Sequence, residues 1–213
     1  MQLIGMLDSP YVRRVAISLQ LLGLPFEHQS ISVFRQFAQF QAINPVVKAP
    51  SLVCDDAAVL MDSTLILEYA EALAGPGKSL MPTNIAERQH ALYLIGLALA
   101  ACEKSVQIVY EKNLRPAEKI HTPWIERVTG QLLAAYDALE LAMTHRPLEV
   151  TSDSMNQAGV SIAVGWYFTQ QMMPEIVLAA AYPSLQKFST DAEKLAEFVA
   201  APHGASTYLP MGN

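Results

Sequence analysis

Apolar and polar positions change their rhythm once along this chain, near Pro82. Before that point short apolar runs alternate with amphipathic segments; after it, apolar residues recur at helical spacing only. Residues 2–7 read as a short buried strand. Val12, Val15, Ala16, Leu19 and Leu22 then share one face while Arg13, Arg14 and Gln20 fall elsewhere, which is the period of an amphipathic helix. Gly23 can adopt the left-handed conformation that ends it. Phe26–Val33 is expected as a second strand, and strand-helix-strand order favours a parallel pair with a right-handed crossover. A second helix is expected over Arg35–Ala42, stopped by Asn44-Pro45. Pro50–Val53 and Val59–Met61 read as strands around an Asp55-Asp56 turn. Ser63 is placed to cap a helix through Leu65, Ile66, Tyr69 and Leu73, closed by Gly75-Pro76-Gly77. The order βαβαββα predicts a compact α/β unit.

The second half predicts helices alone, punctuated by prolines. One spans about Asn84–Lys112 and stops at Arg115-Pro116. A second opens at Thr122-Pro123, an N-cap followed by proline, and repeats Ile125, Val128, Leu132, Ala135, Leu139 and Met143; the two are long enough to pair as an antiparallel hairpin. A third, about Asn156–Met173, is apolar nearly all round and belongs at the centre of a domain. Pro183-Ser184-Leu185 opens another, with Leu185, Phe188, Leu195 and Phe198 as its buried residues, and the tail from Pro202 is expected to be loosely held. Gly, Pro, Lys and Ser cluster at Gly75–Pro82, so the expected division is an α/β domain at 1–76, a linker at 77–82 and an all-α helical bundle at 83–213.

Composition narrows the function. A net charge of −6 leaves no basic stripe for phosphates and argues against a nucleic-acid partner. Mean hydropathy is positive, +0.22, but the longest apolar run, Ala91–Cys102, is 12 residues, short of the roughly 20 that span a bilayer, so no membrane is expected. Asp8 interrupts the first apolar stretch and no basic region precedes it, so cytoplasm is the expected location. Cys54 and Cys102 form no CxxC, and the five histidines at 28, 90, 121, 145 and 203 are scattered singly, so no metal is expected.

Candidate chemistry concentrates at Asp8-Ser9-Pro10-Tyr11. Ser9 is a strong N-cap and Pro10 suits the first helical position, which puts a hydroxyl where unpaired backbone donors and the positive end of the helix dipole converge. An anionic atom is stabilised at such a point.

Ser9-Pro10-Tyr11-Val12-Arg13-Arg14 after the first strand, Asn44-Pro45 with Lys48-Ala49-Pro50 before the third, Asp62-Ser63 at the next helix start, and an all-helical second half stand in one order. Together with Met155–Val160 and Tyr182–Leu185 they resemble the cytosolic glutathione S-transferases, specifically the bacterial serine-type members, over nearly the whole chain. The resemblance implies a thioredoxin-like N-terminal domain that binds glutathione as co-substrate, an all-α C-terminal domain and a homodimer. It implies a cis peptide bond before Pro50, with the Ala49 backbone pairing with the cysteinyl part of glutathione. Asp62 and Ser63 would take the ammonium and carboxylate of the γ-glutamyl end, the alternative being that they only cap their helix. Lys48 would contact the glycyl carboxylate or remain solvated.

Within that resemblance Ser9 donates its proton to the glutathione thiolate and acts as no covalent nucleophile, while its oxygen can still cap the helix. Tyr11 is a second donor candidate or a pocket wall, and Tyr110 a candidate wall for an apolar electrophile, or a core residue. Val47 stands where relatives often carry glycine, Asp62 where they often carry glutamate, and Gly159 where an aspartate commonly completes a capping box with Asn156, which weakens the first turn. The rival expectations are a glutathione-binding protein with little transferase activity and an interaction module without ligand. A thiol-disulfide reductase is disfavoured by serine at position 9.

Overall fold

The computed structural model describes residues 1–75 and 77–209, so Pro76 of the expected closing turn lies outside the described residues. The first elements are β1 (Gln2–Ile4), α1 (Pro10–Leu21), β2 (Glu27–Gln29), α2 (Phe37–Ile43), β3 (Ser51–Val53), β4 (Val59–Met61) and α3 (Ser63–Ala74). The sheet order is β2-β1-β3-β4, with β1 parallel to β2 and antiparallel to β3, and β3 antiparallel to β4. This is the expected βαβαββα order with a parallel first pair, a thioredoxin-like domain. Ile4 packs with Ile31 and Phe40 of α2, and Leu3 points to the opposite face of the sheet. Helix α1 packs on α3, and Gly23, at φ +69, closes α1 through bonds from the Gly23 and Leu24 N–H groups to Gln20 and Leu19.

The strands are shorter than the apolar runs suggested. Gly5, at φ +134, ends β1, and a tight Ile31 N–H to Gln29 O bond ends β2. The second helix starts two residues later than expected because the Ser32 hydroxyl accepts from Phe34 N and Arg35 N and holds a turn ahead of it.

The chain forms two compact units, residues 1–81, 151–156 and 193–209 in the first and 82–150 with 157–192 in the second. The second holds α4 (Ile85–Leu114), α5 (Thr122–His145), α6 (Gln157–Met172) and α7 (Pro183–Ala192). Asn84 caps α4 with its side chain, whereas α5 is preceded by His121 without a side-chain cap and Thr122 is already helical. By length and composition α4 is apolar enough to cross a membrane; it packs along α5 and α6, burying Leu94, Ala98, Cys102 and Ile108. At Gly165 of α6 a Cβ would stand 2.9 Å from the Cys102 sulfur, so a larger residue would have to push that thiol aside at this crossing. Beside it the Tyr136 hydroxyl lies 2.6 Å from Thr169 Oγ1 and donates to Gly165 O, and Thr169 Oγ1 lies 2.8 Å from Ser105 Oγ. Burial pushes the Tyr136 phenol well above its usual range.

The end of the chain departs most from expectation. Helix α7 stops at Ala192, a short α8 (Ala196–Ala200) follows, and residues 193–209 belong with the first unit instead of the helical bundle. Glu193 leaves the helix to meet the guanidinium of buried Arg13 in two bonds of 2.7 and 2.6 Å, and Arg13 Nε donates to Ala201 O at 2.8 Å. Gln20 reaches Glu197 O, Ser30 donates to Ala205 O, and Tyr208 stacks on Phe26 at 4.5 Å. The tail read as loose is a bonded strap; no periodicity marks it, because its partners lie about 180 residues away in sequence.

Candidate functional site

The run from β1 into α1 is built around Gly5. A Cβ there would meet Val12 Cγ2 at 2.7 Å and Ala49 Cβ at 3.2 Å, so the absence of a side chain lets this turn lie against both α1 and the loop carrying Ala49. Ser9 follows as the N-cap of α1, half-buried, with Pro10 in the first turn. Its Oγ accepts from Val12 N at a long 3.5 Å. The contact uses an oxygen lone pair and leaves the hydroxyl proton to donate elsewhere.

Opposite Gly5, the Asn44-Pro45 motif shapes the loop before β3. Asn44 is buried, donates to Ser51 Oγ at 2.8 Å and accepts from Val46 N at 3.0 Å, while Ser51 donates to Lys48 O at 2.8 Å. Val47 stands at φ +52, a left-handed conformation costly for a β-branched residue, with its side chain packed on the Ile4–Ile31–Phe40 cluster. The Ala49-Pro50 bond is cis, as expected, and Ala49 precedes the first residue of β3, outside the sheet ladder.

The cap of α3 is Asp62 and not Ser63. Asp62, at φ +73, is the N-cap of α3 and accepts from Thr64 N at 3.0 Å, while Ser63 is the first helical residue. The second Asp62 oxygen lies 3.6 Å from Lys48 Nζ, so this lysine faces a carboxylate of its own chain. The Ser63 hydroxyl accepts from Arg14 Nη1 at 3.2 Å, and the same nitrogen reaches Thr64 Oγ1. Arg14 is buried on α1, where the sequence pattern places a polar residue off the apolar face and within the Ser9–Arg14 motif.

Tyr11 is half-buried one residue after Pro10, and Tyr110 is exposed on α4; they belong to different units. His203, also unassigned by sequence reasoning, donates to the Asp8 backbone directly before Ser9. Burial and the Arg13 charge hold its ring below the ordinary histidine range, against the pull of Asp8 and Glu193.

A hydroxyl capping the first helix, a cis-proline loop and a second helix start at Asp62 stand together in a thioredoxin-like domain, which a helical bundle follows in the chain. The sequence matches the glutathione S-transferase N-terminal domain over residues 3–78. It is 25% identical over 174 residues to the GST-like protein YibF of Escherichia coli (strain K12), covering 82% of this chain and 85% of that one. Among solved structures, a glutathione transferase family member from Pseudomonas fluorescens Pf-5 with bound glutathione superposes with a TM-score of 0.80 at 25% identity, covering 94% of this chain and 97% of that one. A glutathione S-transferase from Methylobacterium radiotolerans in complex with glutathione sulfonate superposes at 0.85 and 23% identity, covering 94% and 93%. The N-terminal domain is thus similar in sequence to that of the glutathione S-transferases, and the fold is the one these transferase structures share.

Proposed function

We propose that this protein binds glutathione at the start of α1 and conjugates its thiolate to an apolar electrophile, with the Ser9 hydroxyl stabilising the thiolate. The observation that carries the reading is the state of Ser9: its oxygen caps α1 as an acceptor, so its proton is available to a sulfur anion at a helix N-terminus. A free thiol with a pKa near 8.5 is only about 3% thiolate at pH 7. A hydrogen bond to an ionised acceptor contributes roughly 1.5–3 kcal/mol, enough to lower that pKa by about one to two units and make thiolate abundant without a side-chain base.

In this reading the Ala49 backbone pairs with the cysteinyl part and Pro50 fixes that loop. The α3 start receives the γ-glutamyl end: the Ser63 oxygen is already an acceptor for Arg14, so its proton can point to a carboxylate, and Asp62 meets the ammonium. Lys48 competes for Asp62 or swings to the glycyl carboxylate. Tyr11, half-buried one residue after Pro10, walls the electrophile. The protein works as a cytoplasmic homodimer in detoxification by conjugation; Leu65, Tyr69 and Leu73 on successive turns of α3, with Val59 and Met61 on the edge strand β4, give the first unit an exposed apolar row for a second copy.

A second reading, glutathione binding without appreciable transfer, is favoured by Asp62, whose two oxygens are engaged by Thr64 N and Lys48. The test is retention on immobilised glutathione together with turnover of an activated aryl halide. Retention with turnover supports transfer, retention without turnover selects the second reading, and no retention removes both.

A further inference from the structure

The buried His28 ring, on β2 opposite Leu3, bridges the turn before Ser9 and the strap. Its Nδ1 accepts the Tyr208 N–H at 2.9 Å, which fixes the tautomer: the proton sits on Nε2 and donates to Gly5 O at 2.7 Å. Each nitrogen therefore has one possible role in the neutral ring. An imidazolium would turn a second N–H toward the Tyr208 N–H, donor against donor, and could keep only the Gly5 bond.

Both ends of the run into Ser9 lean on this region of the chain. Gly5 N bonds to Gln29 O and Gly5 O to His28, while the Asp8 backbone takes His203 from the strap itself. We propose that His28 is a positioning residue acting as a proton-operated latch: the neutral ring joins the strap at Tyr208 to the turn that presents Ser9, and protonation frees the strap end and weakens glutathione binding. The ligand half of this inference rests on the function proposed above.

The charged groups around the ring do not replace this switch. On β2, Glu27 is exposed, points to the other face and accepts from Gln2; ahead of β1, the Met1 amino group is bonded to Asp55. On α1, Arg13 is held by Glu193 and strap carbonyls, and on the strap the Tyr208 phenol is pushed upward by burial and stays neutral. His203 and Asp8 face each other one step further along the turn. Burial holds the His28 ring below its ordinary value against the favourable Gly5 bond. A lowered folded-state value means the closed form is fully present above about pH 6.5 and is lost as pH falls below it through the folded value.

Amide-exchange protection at Tyr208, corrected for intrinsic rates, and the affinity for S-methylglutathione, whose sulfur does not titrate, test this between about pH 8 and about pH 5.5. In the wild type both fall about two- to tenfold on acidification. In His28→Gln the Tyr208 protection is low and flat across the range, and in His203→Gln the step at Tyr208 persists. Equal wild-type protection at both ends, or an unchanged step in His28→Gln, overturns the latch. Failure of S-methylglutathione to bind the wild type even at the upper end overturns the functional reading and the ligand half with it, while the Tyr208 protection still decides the latch.

Discussion

The two units spend their irregularities differently. In the first, Gly5, Gly23, Val47, Ala57, Asp62, Gly75 and Gly204 all stand at positive φ; among the described residues the second unit has no such position. Its buried polar atoms differ in kind as well. The first unit uses Arg13, Arg14, His28, Asn44 and Ser51 to fix turns and helix starts, whereas the second closes Tyr136, Thr169, Ser105 and the Gly165 carbonyl on one another inside an apolar bundle. One unit holds backbone in place against local preference; the other follows preference and packs. In the proposed reading the strained residues Val47 and Asp62 stand in the two loops that meet glutathione.

Removing the carboxylate under the strap is the harshest break. Glu193→Leu removes the carboxylate that pairs with the buried Arg13 guanidinium and is expected to destabilise the first unit by about 3–4 kcal/mol in urea unfolding, with the strap exposed to proteolysis. Gly5→Ala is next, since its Cβ meets Val12 at 2.7 Å in a backbone conformation alanine resists. A loss of about 2–3 kcal/mol is expected, with weaker glutathione binding by calorimetry because the turn is pushed off Ala49.

Tyr136→Phe sharpens the contrast from the other side. It removes two hydrogen bonds from the buried hydroxyl chain, lowers stability by about 1–1.5 kcal/mol and leaves glutathione affinity unchanged. A change in affinity would show that the helical unit also tunes the site. Smallest is Ala57→Gly, at an exposed turn residue with φ +67; relief of left-handed strain minus the glycine entropy gives about 0.5–1 kcal/mol of added stability, read as a raised Tm.

Legibility in the sequence followed the same divide. Helix α5 is readable because its apolar residues recur at one period, α6 because it is apolar nearly all round, and Ser9-Pro10 because a cap followed by proline is a local signal. Asp62 displaced Ser63 as the α3 cap because a residue at φ +73 places its carboxylate over Thr64 N, and no pattern announces positive φ in an aspartate. Val47 was legible only as a departure from glycine, which the φ of +52 explains. Arg14, His28 and His203 act across sequence separations that no window spans, and the strap was missed for the same reason.

The central claim is that Ser9 lends its proton to a sulfur anion at the head of α1. Titrating the ultraviolet absorbance of the bound glutathione thiol in the wild type and in Ser9→Ala tests it most directly. The account predicts a wild-type pKa about one to two units below the free thiol's 8.5 and a return toward 8.5 in Ser9→Ala. An unshifted wild-type thiol, or an equal shift in both proteins, would contradict it.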